Sequence, residues 1–494
     1  MGIRTRWVAA GAVSVLLLGA GGLYAFVGDD GGQSGTASNG EEESTSELTL
    51  EDLGLDEETA EEMDFSKVEE AFEVIQSQYV DEVDEEDLIQ GAIEGMVEGL
   101  DDPFSDYMDA ETADQFMESL DSQFEGIGAE VSMENGYVTI MSPFQDSPAE
   151  EAGLQPNDRI LEIEGESTED QSLNEAVLDI RGEKGTTVTL TIDRPAADDP
   201  FEVEVERDEI PVETVTSEIY ELDGYRLGVL EMTSFSEETA TEFEEQLEEL
   251  EEEDIDGLAI DVRGNPGGYL NSVEDIGDLI VPGGEPVVQI EDRNGNREPY
   301  ISNLEEEKPY PIVTLINEGS ASASEILAAA LKEAGDYDVI GETTFGKGTV
   351  QQVMPFDDGS ELQLSMFRWL TSAGNDINEE GVEPTIEVTQ PDFFYLPAIS
   401  VDEELGYDDT DDQIEIAQEI LAATGHDPGR SDGYFDEATE AALQSFQAEE
   451  NVEATGVLDE DTALLLHQAV LEEIRDTDND RQLEEALNTL LEQQ

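Results

Sequence analysis

Three serines at alternate positions, Ser320, Ser322 and Ser324 in NEGSASASEIL, could each attack a carbonyl. A serine hydroxyl needs a base to become a nucleophile, and the sequence restricts what that base can be. The two histidines, His426 and His467, lie far downstream, which argues against a Ser-His-Asp arrangement here. The chain has no cysteine, so a thiol nucleophile is excluded, and no HExxH zinc motif occurs. Lysine remains, and it is scarce: Lys67, Lys184, Lys308, Lys332 and Lys347. Lys347 stands in the glycine loop FGKGTVQ, where an extended backbone puts it on the same face as Gln351. A glutamine can hydrogen-bond an amine without adding charge.

Blander readings compete with each of these. Ser322-x-x-Glu325 is a capping box, which explains a serine at a helix start without catalysis. The two readings are compatible, because a helix start also carries free amides. The N–H of Ala323, with one from Gly267 or Gly268 in DVRGNPGG, could face a tetrahedral oxyanion. Those glycines follow a strand and precede a helix. They read either as a tight turn or as an anion site rich in free N–H groups. Lys347 also reads as a solvated surface cation, less persuasively in a chain so poor in lysine.

Periodicity supplies the elements that would position these groups. YRLGVLEM and GLAIDV are buried strands that bracket a helix over about 237–251. PIVTLIN is the next strand, SASEILAAALKEAG a helix ending at Gly335, and YDVIGETTFGKGTVQQV a strand, a glycine loop and a strand. Further upstream, Phe65, Val68, Phe72, Ile75 and Tyr79, then Leu88, Ile93, Met96 and Leu100, have helical spacing, broken at Asp102-Pro103. From Phe124 the pattern alternates as strands do, with Asn135-Gly136 as a hairpin turn. A one-turn helix follows, with Ser147 as N-cap, Pro148 in its first turn and Gly153 past its end.

Aspartate and glutamate number 127 against 19 lysines plus arginines, a formal net charge of −108. Such a balance can signify disorder. Yet 38% of residues are apolar and fall in periodic segments, so most of the chain is expected to fold. Self-repulsion destabilises a compact state, and at ~1 M salt the Debye length is only ~3 Å. The charge therefore points to a halophilic protein. Nucleic acid is not an expected partner, because so few cations build no basic patch.

Arg4 and Arg6 precede an uncharged stretch from Trp7 to Val27. As a helix it would span roughly 30 Å, one hydrocarbon core. The arginines would stay cytoplasmic and the rest would lie outside. The expectation is a single-pass membrane protein with an extracytoplasmic catalytic region. A cleaved signal peptide is the other reading, but no clear A-x-A site is present.

Residues 123–207, with GIGAEV and SPAEEAGLQPNDRILEIEG, resemble a PDZ domain. The resemblance implies that Gly126, Ile127, Gly128 and Ala129 offer backbone N–H groups to a peptide's terminal carboxylate. Glycines there let the backbone approach closely, and the peptide adds as a strand. GLDDPFSDYM, DVRGNPGG, NEGSASASEILAAAL and GETTFGKGTVQ, in this order around the PDZ domain, resemble the C-terminal processing peptidases. These are the tail-specific serine proteases of family S41. The resemblance implies that Ser322 is the nucleophile, Lys347 the general base and Gln351 its support. Ala323 and Gly267 or Gly268 would be the backbone oxyanion donors. Tyr269 departs from the aliphatic residues common at its position. Arg181 is a regulatory candidate linking PDZ position to activity, against the reading of a plain surface ion pair. Finally, GYFDEATEAAL from Gly433 returns as GVLDEDTALLL from Gly456. Each unit starts a helix at Asp436 or Asp459, and residues 413–470 resemble the three-helical peptidoglycan-binding domain type 1.

The chain thus reads as a multidomain α/β protein. Residues 1–28 are a membrane anchor or signal, 29–63 an acidic linker and 64–122 a helical region. Residues 123–208 are the PDZ domain, and 209–396 a crotonase/Clp-like α/β serine protease core. Residues 397–412 are a linker, 413–470 the small three-helix domain and 471–494 an acidic helical tail. The expected function is a membrane-anchored Ser/Lys endopeptidase that selects protein or peptide substrates by their free C-termini. Peptidoglycan or another wall polymer is a candidate second partner, and neither cofactor nor metal is expected. The rival is a non-catalytic PDZ and wall-binding scaffold. An acyl-hydrolysing enzyme of crotonase-like fold is a third reading, which the inserted PDZ domain opposes.

The charge yields a first prediction. The thermal midpoint and activity should both rise between tens of millimolar and molar salt. A midpoint that does not rise over that range would remove the high-salt reading.

Overall fold

The computed structural model describes residues 65–494, apart from 111, 114–115, 117–122, 135–136, 145–146, 169–170, 172, 195–199 and 402. The Trp7–Val27 stretch, the acidic linker and the Asn135-Gly136 turn lie outside the described residues. Among those described, no helix is long and apolar enough to cross a membrane. They form two compact units, 65–115 with 351–365 and 116–350 with 366–494.

In the first unit, α1 (Ser66–Gln78) and α2 (Glu85–Glu98) precede the short strand β1 (Asp106–Met108). Of the apolar positions that gave α1 its helical spacing only Phe72 is half-buried; the others are exposed, Val68 at 53% and Tyr79 at 61%. β1 pairs antiparallel with residues 361–363. Asp102 and Ser105 fix that pairing: Ser105 Oγ donates to Asp102 at 2.6 Å and accepts from the Ser365 N–H at 3.0 Å.

The second unit begins with β2 (Gln123–Gly126), β3 (Ala129–Glu134), β4 (Tyr137–Pro143), α3 (Pro148–Glu151), β5 (Arg159–Ile163), β6 (Glu166–Ser167), α4 (Leu173–Ile180), β7 (Thr187–Asp193), β8 (Phe201–Glu206) and β9 (Asp208–Pro211). β3, β4, β5, β7 and β8 form one antiparallel sheet, and β2 pairs with β9. Ser147 caps α3 by accepting from the Glu150 N–H, and Gly153 has φ 78°, as the sequence led us to expect.

The larger sheet contains β10 (Val215–Leu222), β11 (Tyr225–Met232), β12 (Gly257–Asp261), β15 (Ile312–Ile316), β16 (Asp338–Gly341) and β19 (Ile386–Glu387), in that spatial order. β10 is antiparallel to β11, and the rest run parallel. Every residue of β12 and β15 is buried. A parallel sheet covered on both faces demands such runs. Alternation sorts them: Leu258, Ile260, Ile312 and Ile316 face one cluster, and Ala259, Val313 and Leu315 the other. The first face receives α5 (Thr239–Glu252), α6 (Leu270–Ile280) and α7 (Ala323–Glu333). Between these elements lie the hairpin β13 (Pro286–Glu291) and β14 (Arg297–Ile301), then β17 (Thr349–Pro355) and β18 (Glu361–Leu370), whose last residues pair with β13.

The opposite face is covered from the far end of the chain. Helices α8 (Asp412–Ala423), α9 (Glu437–Glu449) and α10 (Glu460–Arg475) pack on one another through Ile420, Leu443, Phe446 and Leu466. The two repeats share a device the sequence did not reveal. Gln418 accepts from the Gly433 N–H and donates to Tyr434 O and Thr439 Oγ1. Gln447 does the same with Gly456, Val457 and Thr462. The chain then enters α11 (Arg481–Glu492), which buries Leu483, Ala486, Leu487 and Leu490 against Leu227, Val229, Ala259, Val313, Leu315 and Ile340. The acidic segment after 470 therefore ends in a helix that completes the core. Gly257 admits it, since a Cβ there would come within 3.2 Å of Leu490.

Acidic residues on α6 make one pH effect readable. Burial, then the charges of Asp275 and Asp278, pushes Glu274 from 4.5 up to about 7. A raised carboxyl contributes stability that is fully present below the unfolded value and is lost as pH rises through the folded one. Glu274→Gln should therefore raise the thermal midpoint more at pH 8 than at pH 5, by about 2 °C or more. Equal shifts at both pH values would refute the assignment.

Candidate active site

The C-terminal ends of β12, β15 and β16 open into three consecutive loops: 262–269, 317–322 and 342–348. In an open parallel sheet this edge is where ligands bind. Ser320 and Ser322 lie in the middle loop and Ser324 in the first turn of α7, and all three are fully buried. They differ in what their hydroxyls do. Ser320 Oγ donates to Val262 O at 2.7 Å. Ser324 Oγ donates to Asn265 O at 2.8 Å. Both flanking serines thus hold the glycine-rich turn beside them. Ser322 Oγ has no hydrogen-bond partner among the described residues.

Ser322 is the N-cap of α7, with φ 60° and ψ −112°. A non-glycine residue pays about 1–3 kcal/mol for such a conformation, and it persists where the surroundings impose it. Gly267 is one of those surroundings: a Cβ there would lie 2.8 Å from both Ala321 O and Ser322 Cβ, and 3.0 Å from Ala323 N. The turn and the serine loop are further joined by Ala321 N–H to Asn265 O at 3.0 Å and by Asn317 Oδ1, which accepts from Gly264 N at 2.8 Å.

The amides differ as well. Asn265 Oδ1 accepts from the Gly267 N–H at 2.9 Å. The Phe235–Gly268 bridge uses the Gly267 carbonyl and the Tyr269 N–H, leaving the Gly268 N–H without a backbone acceptor among the described residues. Ala323, first in its helix, has no intrahelical acceptor for its own N–H. The choice between Gly267 and Gly268, open from sequence, thus turns on the Asn265 side chain.

Lys347 is 1% exposed, not a solvated cation. Its carbonyl accepts from Trp369 Nε1 at 2.7 Å. Gly346 and Gly348 seat the loop: a Cβ at either would meet residues 378–381 at about 3 Å. Gln351 belongs to the other unit. It is buried, and its amide donates to Ser365 Oγ at 2.8 Å.

Sequence reasoning missed the role of Glu325. It is the third residue of α7, three positions past the Ser322 N-cap, and its Oε2 accepts from the Ser322 N–H at 2.8 Å. The same carboxylate accepts from Thr344 Oγ1 at 2.6 Å, Gly346 N at 2.7 Å and Lys347 N at 2.9 Å. It staples the serine loop to the lysine loop. Burial pushes its carboxyl above the usual range, against the pull of those four donors.

Between β2 and β3, Ile127 O accepts from Ala149 N and Gly128 O from Phe144 N. The N–H groups of Ile127 and Gly128 donate no backbone hydrogen bond among the described residues. Gly128, with φ 71°, packs where a Cβ would come 2.5 Å from Ser147 Cβ. The Arg181 guanidinium lies 4.8 Å from the centre of the Phe124 ring. Among the described residues no three or more His, Asp or Glu side chains come together as a metal site would require.

The chain is similar to known proteins along most of its length. Residues 226–388 match peptidase family S41, 126–205 the PDZ domain, 410–466 a peptidoglycan binding domain and 16–112 the activating protease CtpB N-terminal domain. The carboxy-terminal processing protease CtpB of Bacillus subtilis is 49% identical over 424 residues, 86% of this chain and 88% of that one. CtpA of the same organism is 39% identical over 426 residues, 86% and 90% of the two chains. Among solved structures, the photosystem II D1 C-terminal processing protease is 28% identical and covers 68% of this chain and 88% of its own, with a TM-score of 0.41.

The staple gives the prediction of this section. Glu325→Gln turns one acceptor into a donor facing donors, and each buried group so stranded costs about 1–3 kcal/mol. The thermal midpoint should fall, and peptide cleavage should drop at least about tenfold. A variant with wild-type midpoint and rate in molar salt would show that these four bonds hold nothing.

Proposed function

The chain belongs to the carboxy-terminal processing proteases of peptidase family S41, serine proteases with a PDZ domain, and from that premise we propose a Ser322/Lys347 dyad. The observation that carries it is the buried Ser322 hydroxyl, left without a partner between two serines that are both engaged. Ser322 Oγ attacks the scissile carbonyl carbon and gives its proton to the neutral amine of Lys347. Gln351 supports that lysine. The N–H groups of Ala323 and Gly268 receive the oxyanion, as charge develops where water is excluded. Collapse expels the leaving amine, which takes its proton from Lys347. Water then attacks the acyl-enzyme with Lys347 again as base.

The substrate's free carboxylate is held by the amides of the Gly126–Ala129 loop, and Arg181 connects an occupied PDZ domain to the core. The Trp7–Val27 stretch anchors the enzyme in a membrane. Cleavage takes place on the extracytoplasmic side in a salt-rich medium, and the three-helix domain holds wall polymer. The first of these claims has its own check: amidating a peptide's C-terminus should weaken its binding.

The decisive experiment incubates the purified chain with an unfolded protein in molar salt. Ser322→Ala should lose activity by about 10³-fold or more. Lys347→Arg should abolish cleavage, because a guanidinium stays charged at any working pH, while folding and PDZ binding survive. Wild-type activity should rise with pH as the base loses its proton. Near-normal cleavage by Lys347→Arg would refute the dyad.

A further inference from the structure

Arg263 immediately precedes the Gly264–Gly268 turn, yet its side chain points to the face of the sheet that α11 covers. Its Nε donates to Asp261 Oδ1 at 2.9 Å. Its Nη1 and Nη2 donate to Asp480 Oδ1 and Oδ2 at 2.9 and 2.8 Å, a two-bond fork. Nη1 also reaches Gln482 Oε1 at 3.2 Å. The Arg263 side chain is 16% exposed and that of Asp480 13%. Asp480 is also the N-cap of α11, accepting from the Leu483 N–H at 2.9 Å. Gln390, at the end of the sheet, donates to Asp480 at 2.7 Å and accepts from Arg481 N at 3.0 Å. Both ends of the 391–479 segment are therefore tied at one point, and that point is bonded to the root of the glycine turn.

Bidentate guanidinium–carboxylate pairs fix geometry as well as charge. The turn is thus gripped from two sides. Ser324 holds the Asn265 carbonyl and Ser320 that of Val262, just before the turn, on the side of the nucleophile, and Asp480 holds Arg263 on the other. Burial pushes the Asp480 carboxyl up, and the Arg263 bonds and charge outweigh it, leaving the group below its ordinary range. The carboxylate stays ionised, as a fork requires.

We propose that Asp480 is a positioning residue for the oxyanion turn, acting through Arg263, so that docking of the C-terminal helix sets the aim of the Gly268 N–H. The proposal rests on the reading of Ser322 as nucleophile and Gly268 as oxyanion donor. It makes the C-terminal helix part of the catalytic apparatus, and it means that whatever displaces α11 also slows the chemistry.

The test uses the full chain in molar salt, with Asp480→Asn and Arg263→Lys. Asparagine is as good an N-cap as aspartate, so the first variant keeps the helix start and removes the charged fork. Lysine keeps the charge and loses the bidentate geometry. Each should lower kcat about ten- to a hundredfold with KM within about twofold, as loss of aim at an oxyanion donor predicts. Affinity for a peptidyl boronic acid, whose tetrahedral adduct mimics the transition state, should fall by the same factor. Binding of an uncleaved C-terminal peptide should not change. The double variant should be no worse than the poorer single one, because both break one link. Wild-type kcat with only a lowered thermal midpoint would reduce the pair to a structural brace and overturn the proposal, as would losses that multiply in the double variant. Unimpaired cleavage by Ser322→Ala would instead bring down the dyad reading beneath it, so the two failures are distinguishable.

Discussion

A carboxylate sealed from water must find donors or give up its charge, and Glu325 finds four of them on two different loops. That requirement shapes the rest of the site. The Ser322 N–H is taken by Glu325, which leaves the serine in its left-handed conformation at the mouth of α7. The Gly346 and Lys347 N–H groups are taken by the same two oxygens, so the lysine loop turns toward the helix start. Gly346 supplies the positive φ that this turn needs. No cation is required, because the N-terminal pole of α7 already favours negative charge.

The glycine turn shows a second constraint, that of distance. A Cβ at Gly268 would overlap the Phe235 carbonyl at 2.1 Å, and one at Gly267 would strike the serine loop. Backbone must approach backbone here, and only glycine permits it. Such a turn has little side-chain bulk of its own to hold it still, so its order comes from neighbours. Asn265 ties the Gly267 N–H and the Met232 carbonyl, and Ser320 and Ser324 tie the carbonyls. Removing any one bond leaves a buried partner unmet, which costs more than the bond itself contributes.

Much of this was legible in the sequence because it is local. The alternation of buried strands, the Ser147 cap, the repeat starting at Gly433 and Gly456, and the three serines before an apolar run all appear within short windows. What stayed hidden depends on long-range partners. The capping-box pattern pointed to Glu325, but its bonds to residues 344–347 come from a loop that only the sheet brings near. Gly267 and Gly268 look alike until the Asn265 side chain claims one amide. The last helix has its apolar stripe, Leu483, Ala486, Leu487 and Leu490, in an acidic segment. Its partners Leu227 and Ala259 lie more than two hundred residues earlier, and nothing near the stripe says that it covers a sheet.

The extreme acidity of the chain sharpens the point about partners. Among the described residues only three acids are buried: Asp158, Asp261 and Glu325. Asp158 is held by Arg194 at 2.6 Å and Asp261 by Arg263 at 2.5 Å. With 19 lysines and arginines against 127 acids, cations are too few to neutralise the surface. Two of them are instead placed beside buried carboxylates, which would otherwise face the full desolvation penalty. Glu325 is the exception that uses dipoles rather than a cation. A guanidinium in its place of contact would put a fixed positive charge beside the loop of Lys347 and oppose transfer of a proton onto that amine. Backbone N–H groups and the Thr344 hydroxyl satisfy the carboxylate without introducing such a charge, and so the bonds that hold the two loops together are compatible with the base role proposed above for Lys347.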